Sequence, residues 1–570
     1  MKNFLQNNAY FLIGLILSCA LLWPIFAAPY FSHHDDVQVI RLHQMDKCFK
    51  DGQIPCRWVP DLGGLYGYPL FNYYAPLPYY FGEIFYLITH NLIISSKIMF
   101  AASFIGAYIF MYLAGRKLWG NLGGSMSAIF YSFAPYHAVD FYVRGAMGEL
   151  WGLMFFPAII WATLRLYEKF STFNIVILGL FISFLVISHN LSTMVFIPFL
   201  VLFVAVLFLK NKKMNFLWGV LASLLLSVSL SAFYLLPVLF EKNLVHIDTT
   251  TSGYFSYTEH FKGLKKVLVD RDWGWGASVR EVPGGEKDGL SFQFGWGNSL
   301  FILTALFFAI KNRKTNKFGF AVVVFLFLTT LFSIFMINPR SQIIWDAIDP
   351  LKYLQFPWRF LMLTIFTASL ATGYIIVPLN LKYQRILWVS AAIIICSLNF
   401  AYFRPEKFIQ TNDQQLLTGD NWDKQIKRSI YDYLPIYAKE PPRDLATQRY
   451  QILTGDTSIA DFKEGTNWIS FKADTRTHSI IRLSQYYFPD WKIFVDGAQV
   501  PVEYKDNSLG LMTIILGVGN HNVEARLYDT PVRTMGNFIS LIGFGVVIIL
   551  LLFQSNRFKK SLSYYLKGIR

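Results

Sequence analysis

The sequence predicts a polytopic α-helical membrane protein of about twelve spans, with an extracytoplasmic β-sandwich domain before the last helix. Three observations predict it. The 570-residue chain is 54% hydrophobic and only 15% charged, whereas soluble domains carry about a quarter charged residues. Apolar runs of about 20 residues, enough to cross a bilayer core, recur along most of the chain. One long polar stretch, 403–535, interrupts them and turns strand-like in its second half.

The apolar runs fall near 9–28, 95–115, 119–135, 149–165, 172–188, 191–209, 215–238, 298–310, 318–337, 358–378, 386–402 and 536–553. The first lacks a small-residue cleavage site, since Pro24 and aromatics break its end, and reads as a retained helix. The segment PLPYYFGEIFYLITHN, 76–91, is short, aromatic and carries Glu83. Whether it spans decides the side of every later loop. If it lies at the surface, six basic loops share the cytoplasmic side: Arg116/Lys117, Arg165/Lys169, Lys210–Lys213, Lys311–Lys317, Lys382/Arg385 and Arg557–Lys560. Lysine and arginine favour that side, so both termini are expected inside. The net charge of +15 is then a topology signal. No basic stretch is interleaved with aromatics outside these loops, so no nucleic-acid partner is expected.

This topology places the HHDD loop, the loop near 135–148, the His189–Asn190 turn, the loop 240–297, the loop 338–357 and the segment 403–535 on one outer face. The expected organisation is a membrane region 1–402, with outer loops 30–94 and 240–297, and an extracytoplasmic domain 403–535, β-rich from about 448. A last helix and basic tail follow over 536–570. VDGAQV reads as a hairpin turning at Asp496–Gly497, and GVGNHNV as a second turn. Cys19 and Cys396 lie in apolar runs and read as packing residues. Cys48 and Cys56 could pair in an oxidising compartment or remain free thiols; spacing does not choose.

Chemistry collects on the outer face. Asp35 and Asp36 follow the first apolar run directly. A carboxylate there could act as a general base toward a hydroxyl, or could simply be a polar helix end. His34 with Asp35 leaves a divalent cation open, but two ligands are too few to define a site; no cofactor is otherwise indicated. Arg41 and His43 follow at helical spacing and suit a phosphate. The run GYPLFNYYAPLPYY, with Tyr73 and Tyr74, offers faces to sugar rings or forms an interfacial aromatic belt. Arg144 and Glu149 flank the start of the fourth span, as phosphate partner and second acid or as an internal ion pair. His189 and Asn190 cap an outer turn or touch a phosphate. Arg359 beside Trp358 snorkels to the interface or meets a lipid phosphate. Trp273 sits in a glycine- and tryptophan-rich loop that suits a mobile cover. No glycine-rich phosphate loop, GxSxG or metalloprotease helix is present.

HDDVQVIRLHQM followed by GQIPCRWVPDLGGLYGYPLFNYYAPLPYY resembles the opening loop of bacterial membrane proteins described as 6-pyruvoyl-tetrahydropterin-synthase-related. The stretch YYFPDWKIFVDGAQVPVEY through GVGNHNVEARLY is similar to the end of YfhO-type membrane proteins. Both groups belong with the GT-C glycosyltransferases. The resemblance covers the first 90 and the last 120 residues. It implies a GT-C-like fold in a bacterial cytoplasmic membrane, with the active site facing outward. It also implies a polyprenyl-phosphate sugar donor drawn from the membrane lipids, and a glycan or lipid acceptor. Asp35 falls where that superfamily keeps its catalytic aspartate, and Asp36 matches the second acid of paired variants. The expected activity is an inverting sugar transfer. The rival is a transporter or flippase of lipid-linked glycans, but neither internal repeats nor mid-membrane charges point to it.

Overall fold

The structure, a computed structural model, describes residues 2–280, 282, 285, 287–428 and 433–567. The side chains of the basic tail, and part of the cover loop at 281–286, lie outside this description.

Among the described residues, eight helices are long and apolar enough to cross a membrane. They are Leu92–Ser132, Met147–Glu168, Asn190–Asn211, Met214–Phe240, Lys317–Ile337, Pro357–Ile376, Leu381–Tyr402 and Pro531–Phe553. Three shorter apolar helices join them: Asn8–Ala20, Thr172–Val186 and Trp296–Lys311. The runs expected near 95–115 and 119–135 are two helical stretches of Leu92–Ser132 that meet at the non-helical Gly120, with φ 77° and ψ 179°. A side chain there would meet a left-handed backbone penalty that glycine avoids. The segment 76–91 forms only a 13-residue helix, Leu77–Thr89. At 1.5 Å per residue that is about 20 Å, short of a bilayer core.

Two helices are enclosed by the others. Pro357–Ile376 is buried along its whole apolar window and Met147–Glu168 along 94% of it. A helix apolar all round belongs in the middle of a bundle. The basic loops gather at one end. Lys117 pairs with Glu168, Lys213 Nζ donates to Tyr167 O, and Lys210 lies 3.6 Å from the Phe318 ring centre. The loops that carry most of the candidate residues, and the β-sheets, occupy the opposite end.

Short strands β1 (Tyr30–Phe31) and β2 (Phe408–Ile409) pair antiparallel and tie the first loop to the start of the C-terminal segment. The β-rich part then adds β3 (Tyr450–Thr454), β4 (Thr457–Glu464), β5 (Trp468–Thr475), β6 (Ser479–Tyr486), β7 (Trp491–Val495), β8 (Ala498–Val500), β9 (Leu511–Leu516) and β10 (Gly519–Leu527). They form a five-stranded sheet, β4-β5-β10-β7-β8, and a three-stranded sheet, β3-β6-β9. Inward residues from both, among them Phe471, Ile481, Trp491, Ile493, Met512 and Val523, share one apolar core. Asp496 and Gly497 both have positive φ, 52° and 83°, and link β7 to β8. A two-residue turn with both centres left-handed matches strand twist, which is why Asp-Gly occurs there. GVGN does not close a hairpin: β9 and β10 lie in different sheets, so the chain crosses between layers.

The first outer loop is stitched to this sandwich. Trp58 packs on Phe488 and Trp491, and Asp51 accepts hydrogen bonds from Thr466 and from Trp468 Nε1. Cys48 and Cys56 are disulfide-bonded within that loop.

Candidate functional site

A cavity of about 400 Å³ opens at the end of the bundle that faces the β-sheets. Ten of the thirteen residues singled out in the sequence line it: His34, Asp35, Arg41, Tyr73, Tyr74, Arg144, Glu149, His189, Asn190 and Arg359.

The floor is charged and buried. Glu149 lies in the first turn of Met147–Glu168, where a carboxylate meets the positive end of the helix dipole. One oxygen accepts from the Tyr136 hydroxyl; the other takes Arg144 Nη1 at 2.8 Å and lies 3.4 Å from Arg359 Nε. Arg144 also bonds Asp140, four residues earlier. Arg359 donates to Leu354 O and Gln355 Oε1. Trp358 lies beneath the Arg144 guanidinium, 4.8 Å away. The hydrogen bonds use Nη1 of both arginines, and Arg359 reaches Glu149 through Nε. Nη2 of each makes no protein hydrogen bond among the described residues. Arg41 stacks at 3.9 Å on the Tyr74 ring.

Asp35 differs from Glu149. Its backbone is fixed, with N–H donating to Arg144 O at 2.8 Å, while the neighbouring His34 N–H donates to Val143 O. Gln38 braces the same turn through Gly145 O and Asp35 O. The Asp35 side chain is exposed and, among the described residues, accepts no hydrogen bond and joins no ion pair. Gly145, at φ 63°, lets the two segments meet; a Cβ there would sit 1.8 Å from the His33 ring.

His189 caps the helix Asn190–Asn211, its Nδ1 accepting from Ser192 N–H. An accepting Nδ1 leaves the proton on Nε2. Burial pushes the imidazole down to about 3, which favours the neutral ring with its proton on Nε2, and the residue lines the cavity. Trp358 Nε1 and Ser188 Oγ are further buried groups on this wall without a protein partner among the described residues.

Three expected residues lie elsewhere. Asp36 accepts from the Tyr30 hydroxyl at 2.6 Å and faces a separate groove, because adjacent residues at a helix start point in different directions. His43 is turned toward Trp422, 6.1 Å between ring centres. Trp273 stacks on Tyr402 at 4.6 Å and anchors the loop above the cavity rather than lining it. The next tryptophan does approach: Trp275 O accepts from His34 Nε2 at 2.7 Å. That contact fixes the proton on Nε2 and leaves Nδ1 as the unprotonated ring nitrogen. Among the described residues no three His, Cys, Asp or Glu side chains gather as a metal site.

Sequence reasoning expected the glycine- and tryptophan-rich loop as a cover, but not the other residues of the roof. Tyr254, Phe255 and Ser278 come from the loop 240–297, Gln355 and Phe356 from 338–357, and Tyr433 from the C-terminal segment. No local pattern marks them. Asp140 could have been found, since Asp140 and Arg144 stand at pairing distance on a helical turn.

No family model matches the chain. A protein of Lactococcus lactis subsp. cremoris (strain MG1363), named only "Uncharacterized protein", is 22% identical over 376 residues, 63% of this chain and 56% of that one. The chain thus spans about half the length of this curated relative. Among solved structures the fold is similar to arabinofuranosyltransferase AftD from Mycobacteria, at 12% identity and TM-score 0.45, covering 69% of this chain and 27% of that one. It is also similar to oligosaccharyltransferase AglB from Archaeoglobus fulgidus in complex with an inhibitory peptide and a dolichol-phosphate, at 12% identity and TM-score 0.46, covering 74% and 56%. At TM-scores below 0.5 the likeness is to the broad course of the chain.

Proposed function

We propose that this integral membrane protein transfers a sugar from a polyprenyl-phosphate donor to a hydroxyl of an acceptor on the extracytoplasmic side. The observation that carries the reading is the pairing of two unlike walls in one cavity. Asp35 is a carboxylate with no hydrogen-bond or ion-pair partner among the described residues; Arg144 and Arg359, which line the same cavity, keep Nη2 uncommitted.

Asp35 accepts the proton of the acceptor hydroxyl as its oxygen attacks the anomeric carbon from the side opposite the phosphate. A bond forms between that oxygen and the carbon, and the carbon–oxygen bond to phosphate breaks with its electron pair going to the lipid phosphate. The leaving group is already an anion, so it needs donors and positive charge more than a proton. Arg41, Arg144, Arg359 and the His189 Nε2–H supply them, and preorganised donors of this kind are worth about 3–4 kcal/mol each. Glu149 acts here as a positioning residue. Its oxygens are taken by Tyr136 and the two arginines, which suits it to hold the guanidiniums and not to abstract a proton. Tyr73, Tyr74 and the roof aromatics offer ring faces to the sugar. The disulfide in the first loop and the gathering of basic loops at the far end support an outward-facing site. In this reading the C-terminal segment, whose sandwich braces the first loop through Trp58 and Asp51, helps to position the acceptor.

The test is Asp35→Asn in membranes supplied with a radiolabelled polyprenyl-phosphate sugar. Transfer to a second molecule by the wild type, and its loss in the variant with unchanged expression, supports the reading. Full transfer in the variant removes the base. Movement of label across the bilayer without cleavage would instead identify a flippase.

A further inference from the structure

The Asp35–Asp36 dipeptide stands between two cavities. Asp35 lines the arginine-rich cavity; Asp36 lines a second groove of about 470 Å³ between the first outer loop and residues 409–425. This second groove is built on fixed walls. At one end β1 pairs with β2, and Ser32 and Lys407 exchange hydrogen bonds at 3.0 Å in both directions. At the other, Asp413 caps the helix Leu92–Ser132 by accepting from Leu92 N–H at 2.6 Å and Ile93 N–H at 3.1 Å. The helix Gly419–Arg428 between them is held by Trp422 against His43.

The lining differs in kind from that of the first cavity. It carries one acid, Asp36, and one base, Lys424, which cancel. The remaining polar wall is amide and hydroxyl: Gln410, Thr411, Gln415, Thr418, Asn421 and Gln425. Gln425 is only 5% exposed; its Nε2 donates to Leu416 O and its Oε1 has no protein partner among the described residues. Asn421 spends Nδ2 on Gln415 O and keeps its oxygen. The Gln415 side chain makes no hydrogen bond among the described residues. An anion would call for the arginine forks and helix ends found next door. Sugar hydroxyls both donate and accept, which planar amides and a carboxylate satisfy together.

We propose that this groove binds a neutral, hydroxyl-rich saccharide chain through Asp36, Gln415, Asn421 and the Gln425 carbonyl. Asp36 adjoins Asp35 in the chain, their Cα atoms about 3.8 Å apart, while their side chains line different cavities. Calling this saccharide the acceptor rests on the transferase reading; its recognition by the groove does not.

The experiment uses the full-length protein in lipid nanodiscs over an immobilised panel of neutral oligosaccharides, with uronic-acid-containing and phosphorylated oligosaccharides alongside. The expected result is retention of neutral glycans that falls tenfold or more in a Gln415→Ala/Asn421→Ala double variant and in Asp36→Asn. All three side chains are at least partly exposed, and thermal midpoints close to wild type show the variants to be folded. No neutral glycan retained, retention indifferent to both variants, or a preference for the acidic glycans overturns the proposal. If neutral glycans bind as expected while Asp35→Asn leaves transfer intact, the groove stands and the transferase assignment of Asp35 falls.

Discussion

Replacing Glu149 by Gln tests the charge arrangement directly. The side chain is 1% exposed and serves two guanidiniums, at 2.8 and 3.4 Å. Glutamine keeps the shape but removes the charge and turns one acceptor into a donor facing groups that are themselves donors. Arg144 retains Asp140; Arg359 retains only Leu354 O and Gln355 Oε1, neither of them charged. Removing one member of a buried pair costs about 3–5 kcal/mol, and the partner left to Arg144 puts the expectation near the lower end, about 3 kcal/mol. The second consequence concerns ligand. With the fixed carboxylate gone, Arg359 has no charged partner, and a phosphate becomes its counter-ion. A ligand at 100 times its dissociation constant stabilises by about 2.7 kcal/mol, and the variant should gain more than the wild type at equal concentration. The assay is thermal unfolding in nanodiscs with and without undecaprenyl phosphate. The expected result is a lower midpoint without ligand and a larger ligand-induced rise. A variant as stable as wild type, or one whose ligand-induced rise is no greater, refutes the reasoning.

Other outcomes follow from the same geometry. Asp35→Asn should shift stability by less than about 0.5 kcal/mol, as for a surface change, and lower kcat by about 10²–10⁴ as a lost general base does; denaturation and initial-rate transfer assays check the two separately. Gly145→Ala forces a left-handed backbone and a clash with His33, costing about 1–3 kcal/mol and displacing the Asp35 turn, so both stability and transfer should fall. The unfolded chain protonates His189 below about 6.5, but the folded protein resists until about 3. Its contribution therefore makes stability decline as pH drops through that window, and His189→Asn should flatten the decline in pH-dependent unfolding. Asp413→Ala removes the cap on Leu92 and Ile93 at a cost of about 1 kcal/mol, read as a lower thermal midpoint.

Legibility in the sequence followed the range of the signal. Hydropathy over about 20 residues located the helices, because a backbone in lipid must satisfy its hydrogen bonds within each segment. The lysines and arginines of the loops implied a common face, and Lys117, Lys210 and Lys213 do share one end of the bundle. Asp496–Gly497 announced its turn for a purely local steric reason. The residues expected at the helix mouths converge on one wall because each was read at the end of a span, and helix ends meet at a common level.

Other features depended on packing alone. Asp35 and Asp36 are indistinguishable as a pair of letters, yet one faces the arginines and the other faces a groove of amides. Glu149 and Asp35 are both acids near helix starts, but only the fold shows that one is spent on Tyr136 and two arginines. Tyr254, Gln355 and Tyr433 reach the same cavity from three separate segments, and nothing in their own neighbourhoods specifies it. The sequence by itself determined a polytopic helical protein with a β-rich segment before its last helix, and several of the helix mouths, since periodicity and turn chemistry act over a few residues. Tertiary structure alone decided which carboxylate stays free and which segments roof the cavity, since those outcomes belong to contacts between residues far apart in the chain.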